Sequence, residues 1–304
     1  MPNWMTLDLL REPGQFLCDA NRVSNQIDGI WKIDNFAQQS LNIDPADYLT
    51  NLTEEFPARG EGGVINPFKP QWVNGDNKSL NYRGNTLKRG KMWLQRGDPE
   101  KDGLFTYRYT GWQHGIALAT TDVSQSPETL QIANNYDVWT GAHKYPLIGP
   151  NEYPPANHYI VTKYENGSHN IGFHSDKATD IEPGSLITIV KLGKVGRPFQ
   201  IRRRVFKKDG QSAKDHQKEQ AAAEVIFDEV LAPGTALVMT LEANLLTQHA
   251  VPPCEECSSL TGSIVFRTIT TKRTVGEVWK EIEKSEKNKR RKQMEKGGNK
   301  RKRE

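Results

Sequence analysis

"AEVIFDEVLAPGTALVMTL", residues 223–241, decides the fold. On either side of its Ala-Pro-Gly-Thr turn stands a short run rich in β-branched and apolar residues, too short for an ordinary helix and bounded by residues that break one. Four other segments repeat the plan: "HYIVTKY" (158–164), "SLITIVKLG" (185–193), "RPFQIRRRVF" (197–206) and "GSIVFRTITTKR" (262–273). Short, often alternating strands divided by Gly and Pro are the mark of an antiparallel sandwich or barrel.

Helices come earlier in the chain. "DPADYLTNLTEEF" (44–56) offers Asp44 as N-cap, Pro45 at the first helical position, and Tyr48, Leu49, Leu52 and Phe56 on one face. "SPETLQIANNYDVWTG" (126–141) repeats the pattern with Ser126 as cap, Pro127 in the first turn, and Leu130, Ile132, Tyr136 and Val138 as its apolar positions. Residues 60–115, dominated by Gly, Pro, Asn and aromatics, read as short strands and loops. The class is therefore α+β, mainly β, with supporting helices N-terminal to a β core. The polar stretch 207–223, "KKDGQSAKDHQKEQAAA", lies between two strand candidates and is expected to be an extended hairpin insertion spanning about 202–223.

Composition narrows the classes. No run approaches the roughly 20 apolar residues that a membrane helix needs, and the start of the chain has the form of no secretory signal. Three cysteines, Cys18, Cys254 and Cys257, are too few for a disulfide framework, so a reducing intracellular compartment is expected, with Cys254 and Cys257 as two thiols in a loop. The net charge of +4 divides unevenly. Residues 280–304 hold twelve Lys/Arg and five Asp/Glu, or +7, which leaves 4 − 7 = −3 for residues 1–279. This tail, nearly devoid of apolar residues, is expected to fray from a short helix into disorder. Its clusters 289–292 and 300–303 suit a nuclear import signal or a phosphate-binding arm, and Arg202 to Lys208 form a second basic locus.

Chemistry concentrates in "HNIGFHSDK" (169–177). In an extended segment residues i and i+2 point the same way, so His174 and Asp176 can present an imidazole nitrogen and a carboxylate oxygen to one metal ion. His249 in "LTQHAVP", at the end of a later strand pattern, is the third candidate. Two imidazoles and one carboxylate leave open positions, as in non-haem Fe(II) oxygenases. Arg267 lies in an apolar strand and needs an anionic partner there. That partner is either a dicarboxylate chelating the metal at its other end or an acid of the chain.

"HYIVTKYENGSHNIGFHSDK", "PGTALVMTLEANLLTQHAVP" and "RTITTKR", in that order, resemble the AlkB-like 2-oxoglutarate- and Fe(II)-dependent dioxygenases, over about residues 100–274. The resemblance implies a double-stranded β-helix (jelly-roll, cupin-like) core, and Fe(II) on His174, Asp176 and His249 with dioxygen. It implies 2-oxoglutarate bound by Arg267, with Arg273, Tyr164 and Thr271 in the same pocket, and a base-covering aromatic lid at Tyr107, Tyr109 and Trp112. The implied activity is oxidative demethylation of alkylated bases in DNA or RNA, as in DNA repair, with nucleic acid held by the tail and the Arg202–Lys208 region. The same chemistry on a protein or small molecule is the alternative, followed by a non-catalytic nucleic-acid-binding relative. The chain departs from the family at Thr162, Ile269 and Ala178. The last replaces an acid that reads the base, with Asp180 as candidate substitute. The expected organisation is an extension (1–43), a catalytic domain (44–279) and the tail (280–304), monomeric, off the membrane, and cytoplasmic or, by its tail, nuclear.

Overall fold

The computed structural model describes residues 21–22, 29–56, 70–73, 81–82, 85–86, 89–105, 120–142, 154–281, 283–284, 287–288 and 291. Eleven strands build the core: β1 (Ile30–Ile33), β2 (Gly90–Gln95), β3 (Thr121–Asp122), β4 (His158–Tyr164), β5 (Ile171–His174), β6 (Leu186–Gly193), β7 (Arg197–Arg203), β8 (Val225–Leu231), β9 (Ala236–Thr240), β10 (Thr247–Val251) and β11 (Thr261–Arg267). The larger sheet runs β1-β9-β6-β11-β4-β2-β3, with the pair Asn21–Arg22 at its outer edge; the smaller runs β8-β7-β10-β5. From β4 to β11 the chain passes between the two sheets, and its pairings in both are antiparallel. This is a double-stranded β-helix, a jelly roll closed against itself.

The two faces of the larger sheet have separate tasks. Tyr159, Val161, Val190, Ile264 and Phe266 face outward onto helices α1 (Pro45–Glu55) and α2 (Pro127–Ala142). Asp44 caps α1, accepting from the backbone N–H of Ala46 at 2.7 Å and of Asp47 at 2.9 Å, and Tyr48, Leu49 and Leu52 are buried as the spacing predicts. In α2, Ile132, Tyr136 and Trp139 are buried whereas Val138 is 58% exposed, so the helix turns one position from the face expected. The ring of Tyr136 stacks on Phe266 at 4.2 Å and locks that orientation. The inward face carries Ile160, Ile187, Ile189 and Val265, packed against Phe199 and Ile201 of the smaller sheet.

Three expectations are corrected. Residues 29–43 are no extension: β1 pairs with β9, and Ile30, Phe36, Ala37 and Leu41 are fully buried, because β9 would otherwise be an open apolar edge. The insertion at 202–223 is an antiparallel connection that contains a helix, α3 (Ala213–Ala221), capped by Ser212 accepting from the Asp215 N–H at 3.1 Å. Its strong helix formers have no apolar stripe, so periodicity missed it. Cys254 and Cys257 form a disulfide, since the turn between them brings their Cα atoms to 5.4 Å, within bonding range.

At its start the C-terminal segment is helical from residue 275, with Thr274 and Glu277 capping each other and Val278 buried. Of the basic clusters beyond, Arg291 is described and exposed; the rest lie outside the described residues, as do Cys18, Tyr107, Tyr109 and Trp112. No described helix is long and apolar enough to cross a membrane.

Helix α1 reaches the sheet at Gly262, where an added Cβ would lie 2.5 Å from the Thr162 carbonyl oxygen and 3.0 Å from a Leu49 methyl. Gly262→Ala is therefore expected to lower the unfolding free energy by about 1–3 kcal/mol in urea denaturation. A wild-type midpoint would show that strand and helix separate there without cost.

Candidate metal centre

The smaller sheet brings the two histidines together. In the register of β10 with β5, His249 stands opposite His174, and their rings lie 4.4 Å apart between centroids. Asp176, two residues beyond His174, is buried just after the strand ends. One ligating atom from each of His174, Asp176 and His249 falls within 4.8 Å of the others. Residues 75 positions apart thus become neighbours through strand pairing alone.

Asp176 is held both at its backbone and at its carboxylate. Asn244, fully buried in helix α4 (Leu241–Leu246), accepts from the Asp176 backbone N–H at 2.7 Å and donates to its carbonyl at 2.9 Å. Ser175 donates to the Thr247 carbonyl, tying the same turn to the start of β10. The side chain of Asp176 meets the Arg267 guanidinium at 2.6 Å, with both groups buried. His174 Nδ1 lies 2.9 Å from the Gly172 carbonyl; since that oxygen only accepts, Nδ1 carries the proton and Nε2 faces the triad.

Charge states suit a cation. Burial alone would raise the Asp176 carboxyl, but Arg267, then His249 and His174, bring it down to about 2. Burial pushes both imidazoles below their ordinary value, His174 further still beside His249. At neutral pH the centre therefore presents one carboxylate and two neutral imidazoles, the protonation states in which these groups ligate metals. The buried Nδ1 of His249 has no hydrogen-bond partner in the structure, an orphan that a metal ion would satisfy. Such a set fits Fe(II) and leaves coordination positions for two more ligands.

Other predicted site residues fall less evenly. Tyr164 lines a cleft between the sheets with Lys191, Arg197, Phe199, Val251 and Ser263, of which Phe199 stacks on His249. Arg267 meets an anionic partner in the chain itself, Asp176, through one nitrogen of its guanidinium. Arg273 is turned elsewhere: it sits on a two-residue strand paired with Leu104–Phe105 and forms an ion pair with Glu281. Thr271 donates to Asp180 at 3.1 Å. That bond and its burial remove Asp180 from reading a base in place of Ala178.

Asn244 beside Asp176, and Arg197 and Lys191 in the cleft wall, carried no motif in the sequence. Each is an ordinary polar residue whose meaning comes from tertiary placement. For Lys191 the one available clue was an ammonium inside the apolar run "LITIVKLG".

No family model matches the chain, and no curated protein matches it. Solved structures do align with it. One titled "The structure of OsALKBH1" covers 79% of this chain and 96% of its own at 16% identity and a TM-score of 0.40. A prolyl hydroxylase in complex with a hypoxia inducible factor oxygen degradation domain peptide, from Trichoplax adhaerens, covers 88% and 94% at 11% identity and a TM-score of 0.44. AviO1 from Streptomyces viridochromogenes Tue57 covers 81% and 94% at 14% identity and a TM-score of 0.40. At these values the identification of the site rests on its own residues.

Asn244→Ala leaves all three ligands in place but releases the turn that carries Asp176. It is expected to weaken Mn(II) affinity by roughly 10- to 100-fold, the usual cost of losing an outer partner of a ligand, as read by calorimetry. Unchanged affinity would mean that Arg267 alone positions the carboxylate.

Proposed function

We propose that the protein is an Fe(II)- and 2-oxoglutarate-dependent dioxygenase acting on an alkylated base of DNA or RNA. The observation that carries the chemistry is the convergence of His174, Asp176 and His249 at one end of a jelly roll, with the carboxylate charged and both imidazoles neutral. Iron bound there with 2-oxoglutarate and dioxygen supplies oxidation of an unactivated C–H bond, which on an N-methyl group ends in formaldehyde and the restored amine, with succinate and CO2 as co-products.

The chain's own residues bind, orient and exclude water. His174 and His249 arrive from adjacent strands, so their relative geometry is as rigid as the sheet pairing. Asn244 and Arg267 fix the third ligand in position and in charge. Ile160, Ile189, Val265 and Phe199 form an apolar wall beside the centre and keep it dry. No acid/base side chain is required of the protein, because the co-substrate carries the difficult step.

Support for a nucleic-acid substrate comes from charge and placement. Arg202 lies over the Phe173 ring at 4.1 Å, one residue from His174, and Arg204 lies over the exposed Phe206 at 5.2 Å. Cations stacked on aromatic rings beside a metal centre suit a phosphate backbone and an unstacked base. Arg203 and Lys208 contribute less, since Glu224 and Glu219 pair with them at 2.9 Å and 3.0 Å. The tail would add sequence-independent phosphate contacts and a nuclear address. Tyr107, Tyr109 and Trp112 would cover a flipped base.

The test is incubation with Fe(II), ascorbate, 2-oxoglutarate and methylated DNA and RNA oligonucleotides, single- and double-stranded, with formaldehyde and restored base followed by mass spectrometry. Turnover on at least one oligonucleotide, abolished by His174→Ala, is the expected result. Succinate formed on a methylated peptide or small molecule but on no oligonucleotide would transfer the chemistry to the other substrate class. No succinate under any condition would overturn the enzymatic reading.

A further inference from the structure

The inward face of the larger sheet carries a polar row where an apolar one is expected. Lys91 of β2 stands opposite Thr162 of β4, Thr162 opposite Ser263 of β11, and Ser263 opposite Lys191 of β6. The next row along the same face is Trp93, Ile160, Val265 and Ile189, all apolar and buried. Four polar side chains abreast inside a jelly roll are costly unless something polar faces them.

Lys191 bears most of that cost. It is 6% exposed, and among the described residues no carboxylate pairs with it; its ammonium donates to the Leu192 carbonyl and has two further N–H groups. The charge closest to it on neighbouring elements is another cation, Arg197, itself 2% exposed. Arg197 lies over the Tyr164 ring at 4.7 Å and spends its donors on Thr261 Oγ1 and on the carbonyls of Asn166, Gly167 and His169. It thus braces the loop between β4 and β5 and adds positive potential without neutralising its neighbour. A buried ammonium beside a buried guanidinium, with no acid between them, is a site built for an anion.

The cleft that Lys191 lines is small, with a cavity volume of about 20 Å³, room for one ordered water or the end of one polar group. It adjoins the metal centre: Phe199, in its wall, stacks on His249 at 5.8 Å between centroids, and Val251 follows His249 by two residues on the same strand. Arg267, by contrast, contacts a metal ligand directly and lies four residues from Ser263 along β11, about 13 Å at the usual strand rise. A diacid held on the metal by its keto acid end would need a cation for its other carboxylate, and Lys191 is a buried cation with no acid of the described residues paired to it.

We infer that the distal carboxylate of 2-oxoglutarate is held in this chain by Lys191, with Arg197, Tyr164 and Ser263 around it, and that Arg267 serves Asp176 instead. The inference rests on the 2-oxoglutarate reading above. It makes Lys191 the determinant of co-substrate choice between keto acids with and without a second carboxylate.

The test is calorimetric titration of the Mn(II)-loaded protein with 2-oxoglutarate and with 2-oxobutyrate, which lacks the second carboxylate. Wild type is expected to prefer 2-oxoglutarate by at least about tenfold, the scale of one charge-assisted hydrogen bond. Lys191→Met should abolish that preference while Mn(II) and 2-oxobutyrate affinities stay within about threefold, and Lys191→Arg should restore it in part. Without ligand, Lys191→Met should also raise the urea midpoint, because it removes an uncompensated buried charge. Preference for 2-oxoglutarate retained in Lys191→Met overturns the assignment and leaves the oxygenase reading standing. A wild-type protein that binds Mn(II) but neither keto acid overturns both.

Discussion

A carboxylate buried between two sheets keeps its charge only beside a cation, and Asp176 keeps its own because Arg267 lies 2.6 Å away. Remove the guanidinium and burial would push the acid toward its neutral form, a poor metal ligand. The pair also explains a cation at the end of the otherwise apolar β11. Neither partner is favourable alone: an unpaired Arg267 would be as costly as an unpaired Asp176. Each therefore accounts for the other, and the metal centre depends on both.

Around this pair the jelly roll supplies geometry at little further cost. Strand pairing sets His249 opposite His174, and helix α4 delivers Asn244 to both backbone groups of Asp176. The body outside the tail carries a formal −3. Its interior nonetheless gathers Lys191, Arg197 and Arg267, with Asp176 and Asp180 as the buried acids among the described residues. Two of these cations, Lys191 and Arg197, line the cleft between the sheets. A cleft with two cations in its wall suits a small anion.

Much of this was legible in the sequence, and the parts that were not share a cause. The short β-branched runs gave the sheets, and the order of His174, Asp176 and His249 gave the ligands, because period-2 patterns and ligand spacing are local. Arg267 was singled out correctly as needing an anion, yet its partner depended on which end of β11 faces the turn after β5, a matter of register. Asn244 and Lys191 carried no motif; one is a tether and the other a cation in an apolar run, and both gain meaning only from what packs opposite. Residues 29–43 resembled an extension because β1 is four residues long and its value lies in covering β9. Helix α3 was missed because solvent-facing helices need no apolar stripe.

The central claim is that one metal ion sits between two imidazoles and one carboxylate on this fold. Iron K-edge X-ray absorption on the anaerobic Fe(II)-loaded protein tests it most directly. The account predicts one iron per chain with scattering from two imidazole rings, reduced to one ring in His249→Ala. Iron bound without imidazole scattering, or a spectrum unchanged by that substitution, would contradict it.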